Sequence, residues 1–348
     1  MSQPLVTREF LAKAGFFSTP LAKRLAAAPL GLVDVGARWG VDELFRPLAP
    51  VVAALAFEPD AEEATRIAAR EKNAGWAAIK VLTKALGGKA ERATLHLLAR
   101  PNNSSLFPVV PSVAERYKLL GFELVREIPL DLVPLDALIF GGAGEGPHAG
   151  EVIKLDVQGA EAMVIAGAAR TLSERTHCVI CEVPFFAPYQ GIELFSELEL
   201  LLRARGLNFY GFIDFQHRST KRLEKRTTLS RERMMQADAV FFRDPLAAEA
   251  APANQRQVAV LFVMALVLGY FDFCLEMVDM LPQEERAALS DLVRASAAVD
   301  RAKDEAALET IMVARGNPTE LHLAIGGLVD QRRDFTTFHD VTKPTKPA

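Results

Sequence analysis

The chain has 348 residues, half of them hydrophobic, which allows a large core and two domains of ordinary size. Its formal net charge of -4 shows none of the basic excess of a nucleic-acid binder. Three cysteines are too few for a disulfide framework and point to a reducing, cytoplasmic setting.

The leading segment, residues 1–30, reads as one or two amphipathic helices over 7–28. Arg8, Lys13, Lys23 and Arg24 interrupt its apolar windows, which argues against a signal peptide. Residues 32–35 form a short apolar run with β-branched Val33 and Val35, the pattern of a strand buried on both faces. Gly36 and Gly40 then permit a sharp turn and close approach of backbone to a ligand. A second apolar run, 51–57, ends at Glu58, where an acid can accept hydrogen bonds from both hydroxyls of a ribose. The series implies a nucleoside-bearing ligand. A dinucleotide site needs G-x-G-x-x-G, so that backbone can approach a pyrophosphate; here the middle glycine is Arg38, and Asp34 lies within the strand. An acid there suits a cationic ligand such as S-adenosylmethionine and disfavours an NAD(P)-dependent oxidoreductase.

Further strands are expected at 79–83, 94–98, 122–128, 152–156, 178–183, 208–213 and 239–243, with helices at 61–73, 160–173 and 192–205. This alternation defines an α/β chain with a mostly parallel sheet. Gly206 is placed to end the third helix. Cys178 and Cys181 fall in one apolar run and read as core positions rather than a redox pair. The glycine-rich stretch 141–150 reads as a connector. Arg218, Lys221, Arg222, Lys225, Arg226, Arg231 and Arg233 form a basic loop between the last two strands, either a solvated hairpin or a surface that steers an anionic acceptor. Residues 244–255 read as a linker, 256–335 as a helical C-terminal domain and 336–348 as a disordered tail. The uncharged run 257–271 is shorter than the roughly 20 residues of a membrane span. It reads as a helical core or a homodimer seam.

The motifs DVGARWG, FEPD, ALGG with ATLHLL, NNSSLF, PLDAL, IKLDVQGAE, CEVPF and QADAVFFRD occur in this order between residues 32 and 244. In series they resemble the FkbM-type family of S-adenosylmethionine-dependent methyltransferases. The resemblance implies the class I (Rossmann-like) methyltransferase fold, an α/β architecture with a mostly parallel seven-stranded sheet and an antiparallel edge pair, over residues 31–245. It implies an O-methyltransferase acting on a hydroxyl of a sugar, glycan or glycosylated metabolite. The donor site then comprises Asp34, Gly36, Ala37, Arg38, Gly40, Glu58, Pro59, Ala85 and Leu86. The acceptor side comprises Asn103, Ser104, Ser105 and Gln158. The family often has Asn where this chain has Arg38.

Methyl transfer is an in-line displacement at a sulfonium carbon, so a protein must align donor and acceptor and remove one proton. Asp156, closing a core strand, is the leading catalytic candidate, with contact to donor or acceptor as its alternative role. Glu182, closing the next strand, is the second. Glu161 opens a helix and suits its dipole. These carboxylates allow a metal, but no histidine joins them at a ligand spacing, so no metal-site residue is assigned. A methyltransferase-fold binding protein without turnover is the competing reading.

Overall fold

A computed structural model describes residues 6–142, 146, 148–220, 232–247, 250 and 252–313, with backbone alone from 300 onward. The strands are β1 (Leu30–Val35), β2 (Val52–Phe57), β3 (Ala78–Leu82), β4 (Ala85–Leu86), β5 (Glu91–Leu98), β6 (Leu124–Val133), β7 (Val152–Leu155), β8 (Cys178–Pro184), β9 (Asn208–Arg218) and β10 (Arg233–Phe242).

Seven of them form one sheet in the order β3-β2-β1-β7-β8-β10-β9. Every residue of β1 and β7 is buried, as expected for parallel strands covered on both faces. β3, β2, β1, β7 and β8 are parallel, and β10 runs antiparallel between β8 and β9. The chain builds outward from β1 in both directions, so the β1/β7 junction is a switch point, and its C-terminal side is where open α/β sheets bind ligands.

Residues 94–98 and 122–128, expected as strands, do not join this sheet. They lie in a second, three-stranded sheet ordered β4-β6-β5. β6 also continues past Pro129 to Val133. The two-residue β4 pairs only with Leu132 and Val133, so at Pro129 the strand has a free edge and the missing N–H costs nothing.

The first crossover is a 3-10 run, Glu43–Val51, because Pro47 and Pro50 forbid an α-helix there. The expected 61–73 helix spans Ala61–Glu71, with the Asp60 carboxylate accepting from the backbone N–H groups of Glu62 and Glu63. The expected helix 160–173 is two, Glu161–Gly167 and Ala169–Glu174. At the break, Gly167 packs so closely on Gly87 that a Cβ would stand 2.0 Å from the Gly87 carbonyl oxygen.

The C-terminal helices pack on the main sheet. In Gln255–Leu268 every residue from Val258 to Leu268 is buried. This helix, with Phe271–Val278 and the start of Gln283–Val313, shares one apolar cluster with the N-terminal helices Arg8–Lys13 and Pro20–Ala27 and one face of the main sheet. Among the described residues the terminal helices share this one cluster with the sheet. Arg256 pins it to the sheet, donating to both oxygens of Glu151 at 2.8 and 2.7 Å and to the Pro29 carbonyl at 3.0 Å. Cys178 lies in this cluster and Cys181 in the one on the opposite face, and burial raises both thiol pKa values. Among the described residues no helix is long and apolar enough to cross a membrane. The expected tail 336–348 and the stretch 314–335 lie outside the described residues.

Candidate active site

A cavity of about 470 Å³ opens at the C-terminal ends of β1, β2 and β7, roofed by the small sheet. Gly36 forms its floor at φ +86°. A Cβ there would meet the Asp156 carbonyl oxygen at 1.9 Å, so the turns after β1 and β7 come this close only with glycine.

Of the residues expected at the donor, Gly36, Arg38, Glu58, Pro59, Ala85 and Leu86 line the cavity. Glu58 is buried, its Oε1 accepting from the Asp60 N–H at 2.8 Å, and burial raises its pKa. Arg38 lies 3.8 Å from both Glu58 Oε1 and Asp60 Oδ2, and its buried Nε has no hydrogen-bond partner.

Four expected ligand contacts instead stand behind the wall. Asp34 Oδ2 accepts from the Asp42 N–H at 2.9 Å; burial, followed by the Asp42 charge, pushes its pKa up to about 7. Ala37 packs in the core and donates its N–H to Phe57 at 3.0 Å. Gly40 makes room for the Glu71 carboxylate, which a Cβ would meet at 2.3 Å. Ser105 is buried, its hydroxyl donating to the Gln158 carbonyl at 2.6 Å and accepting from the Phe107 N–H at 3.1 Å. All four shape backbone that others use.

At the other end, β7, β8 and β10 bring Lys154, Asp156, Gln158, Glu182, Gln236 and Asp238 onto the cavity wall. Gln158 Nε2 donates to Asp156 Oδ1 at 2.9 Å and to Glu182 Oε2 at 2.7 Å. Its Oε1 accepts from the Tyr189 hydroxyl at 3.1 Å, and Gln236 donates to the second oxygen of Glu182. Gln158 has φ +53°, an uncommon conformation for a residue with a side chain. Glu161 stabilises that turn, accepting from the N–H groups of Val157 and Gly159 at 2.8 and 2.9 Å. That is a more specific job than complementing a helix dipole.

Lys154 Nζ lies 3.1 Å from Asp238 Oδ1 and 3.8 Å from Asp156 Oδ2. Burial alone would lower the pKa of this ammonium, but the surrounding carboxylates of Asp238, Asp156, Asp42 and Glu182 reverse the shift and raise it. Burial pushes Asp238 up to about 7, even against the pull of Lys154. Burial, then the charge of Asp156, raises Glu182 well above the carboxylate range. Asp156 is the open member, with 41% of its side chain exposed.

Sequence reasoning missed Lys154, Tyr189, Gln236 and Asp238. A signal existed for two: Lys154 interrupts the otherwise apolar Val152–Leu155, and Asp238 interrupts the apolar end of β10. Charged residues inside buried strands are almost always paired.

Asn103 and Ser104 line the cavity, with Asn103 Nδ2 donating to the Leu120 carbonyl at 3.2 Å and Ser104 Oγ accepting from the Leu98 N–H at 3.1 Å. Of the basic loop, Lys221, Arg222, Lys225, Arg226 and Arg231 lie outside the described residues. Arg218 lines the cavity, whereas Arg233 donates to the Tyr117 hydroxyl at 2.8 Å. Among the described residues no group of His, Cys, Asp and Glu side chains is arranged to hold a metal.

The strand order, the antiparallel last pair and an acid after β2 beside a glycine turn define a class I methyltransferase, for which S-adenosylmethionine is the methyl donor. The profile of the methyltransferase FkbM domain matches residues 34–209, and the chain belongs to that family. No curated protein matches the chain. Two methyltransferases are among the solved structures similar to it. One is magnesium protoporphyrin IX methyltransferase from Synechocystis PCC 6803 with bound SAM, at 12% identity and TM-score 0.30, covering 67% of this chain and 78% of that one. The other is a Streptococcus pneumoniae protein described as a putative tRNA (m1A22) methyltransferase, at 11% identity and TM-score 0.29, covering 81% and 98%.

Proposed function

We propose that this enzyme is a cytoplasmic O-methyltransferase acting on a hydroxyl of a sugar, glycan or glycosylated metabolite. The observation that carries the reading is the carboxylate of Asp156, 41% exposed to the cavity beside the buried Lys154–Asp238 pair.

The donor supplies a methyl group on a positively charged sulfur. The residues present fit it: Glu58 to take the ribose hydroxyls, Phe57, Pro59, Ala85 and Leu86 to border the adenine. The unpartnered Arg38 Nε is a spare donor for one of its oxygens. At the other end Asp156 accepts the proton of the acceptor hydroxyl as its oxygen forms the new C–O bond and the C–S bond breaks. Gln158 orients Asp156 through the 2.9 Å hydrogen bond to its Oδ1, and Lys154 stands 3.8 Å from its Oδ2. Glu182, whose pKa burial raises and whose two oxygens accept from Gln158 and Gln236, acts through Gln158 rather than as the base. Asn103 and Ser104 border the acceptor.

The test is transfer of labelled methyl from S-adenosylmethionine into fractions of a cell extract. Labelled product is expected, and Asp156→Asn should lower kcat by about 10²–10⁴ while leaving donor affinity unchanged. Donor binding with no labelled product in any fraction would make the chain a binding protein instead.

A further inference from the structure

The cavity is polarised. Carboxylates line the β7–β8–β10 end and, as Glu58 and Asp60, the turn after β2, while the wall supplied by the small sheet is aliphatic. Alternation along β5 and β6 puts Leu95, Leu97, Ile128 and Leu130 on that wall, with Leu95 directly opposite Ile128. None of the four is buried, and none belongs to an apolar cluster of the fold. Leu120, 48% exposed, and Trp39, 53% exposed, continue the same lining. A hydroxyl-rich acceptor finds no hydrogen-bond partner on such a surface.

Two cations stand beside it. Arg126 pairs across the sheet with Leu97, two residues before Ile128, and Arg100 follows β5. Both line the cavity and are exposed, and neither guanidinium has a hydrogen bond or ion pair among the described residues. They are therefore available to an anion from solvent, with the forked geometry that suits carboxylate or phosphate.

Resting on the methyltransferase reading above, we infer that the acceptor is an anionic amphiphile. Its hydroxyl reaches Asp156, its apolar body lies on the Leu95–Ile128 wall, and its carboxylate or phosphate is held by Arg100 and Arg126. An acceptor made of sugar alone would use neither the aliphatic wall nor the two arginines, so the methylated unit is joined to an apolar chain or ring system.

The experiment measures calorimetric binding of octyl phosphate, octyl glucoside and inorganic phosphate to the full chain saturated with S-adenosylhomocysteine. Octyl phosphate is expected to bind at least tenfold more tightly than either of the others. Replacing both arginines, R100A/R126A, should abolish that preference, and R100K/R126K should retain part of it, with S-adenosylhomocysteine affinity unchanged in both. Equal or tighter binding of octyl glucoside overturns the inference, as does a preference for octyl phosphate that survives in R100A/R126A. Failure to bind S-adenosylhomocysteine at all sinks the donor reading itself. Donor binding without the octyl phosphate preference sinks only the acceptor class.

Discussion

Lys154 on β7 donates to Asp238 on β10 at 3.1 Å although β8 lies between the two strands. The ammonium thus reaches diagonally across a strand to neutralise an acid that has no charge partner on its own side of the sheet. Both groups are nearly inaccessible, so each depends on the other more than a surface pair would.

Removing the cation should be severe. Lys154→Met leaves Asp238, Asp156 and Glu182 facing one another, and a loss of about 3–5 kcal/mol in urea unfolding is expected. Lys154→Met combined with Asp238→Asn should recover part of it, since the uncompensated acid is then gone. Equal unfolding midpoints for the single variant and the parent would show that the pair carries no such weight.

Asp34 makes stability depend on pH. Its folded pKa, about 7, lies above the ordinary value of 3.8 because burial penalises the charged form. Folding therefore takes up a proton between these values, so the stabilisation is fully present below about pH 4 and is lost as pH rises through about 7. The full span is at most about 4 kcal/mol. Asp34→Asn keeps an oxygen for the Asp42 N–H and removes the titration, so its unfolding free energy should fall less between pH 5 and pH 8 than that of the parent. An identical pH slope in the two proteins would locate the titration elsewhere, with Asp238 the next group to test.

Glu58 tests the donor end alone. Glu58→Ala removes the acid positioned for the ribose and should weaken S-adenosylhomocysteine binding by about 1.5–3 kcal/mol, roughly 10- to 100-fold in Kd. Binding of octyl phosphate should not change, because Arg100 and Arg126 sit on a different wall. Unaltered affinity for S-adenosylhomocysteine would remove Glu58 from the donor site.

The main sheet was legible because its strands carry local signals. β1 and β7 are short runs ending at Gly36 and Asp156, and the sequence between residues 213 and 239 has no apolar helical pattern for a crossover, which predicts an antiparallel pair. The second sheet was not, because Pro129 suppresses the strand signal in β6 and its tolerance depends on how short β4 is, a long-range fact. The site was half legible for a related reason. Glu58 and Asp156 follow strands directly, so chain order places them. Gln158, expected at the acceptor, is instead the bridge between two acids, a role fixed by a left-handed turn that only Glu161 in three dimensions explains. The four residues behind the wall were not separable in the sequence from those that line it, because a motif names neighbours of a ligand without saying which of them face it. The helical C-terminus looked autonomous since its amphipathic spacing says that a face is buried and leaves open against what.

That bridge gives the sharpest separation of catalysis from binding. Gln158 Nε2 is the shared donor to Asp156 and Glu182, and without it the two carboxyls lose their common partner and Asp156 its orientation. Loss of a hydrogen bond to a charged group costs about 1.5–3 kcal/mol, so Gln158→Ala should lower kcat about 10- to 100-fold. Donor affinity should stay constant, since Gln158 and Glu58 stand at opposite ends of the cavity. A merely structural role would lower stability and donor affinity together. A variant with normal kcat would remove Gln158 from the catalytic arrangement and leave the turn as its only function.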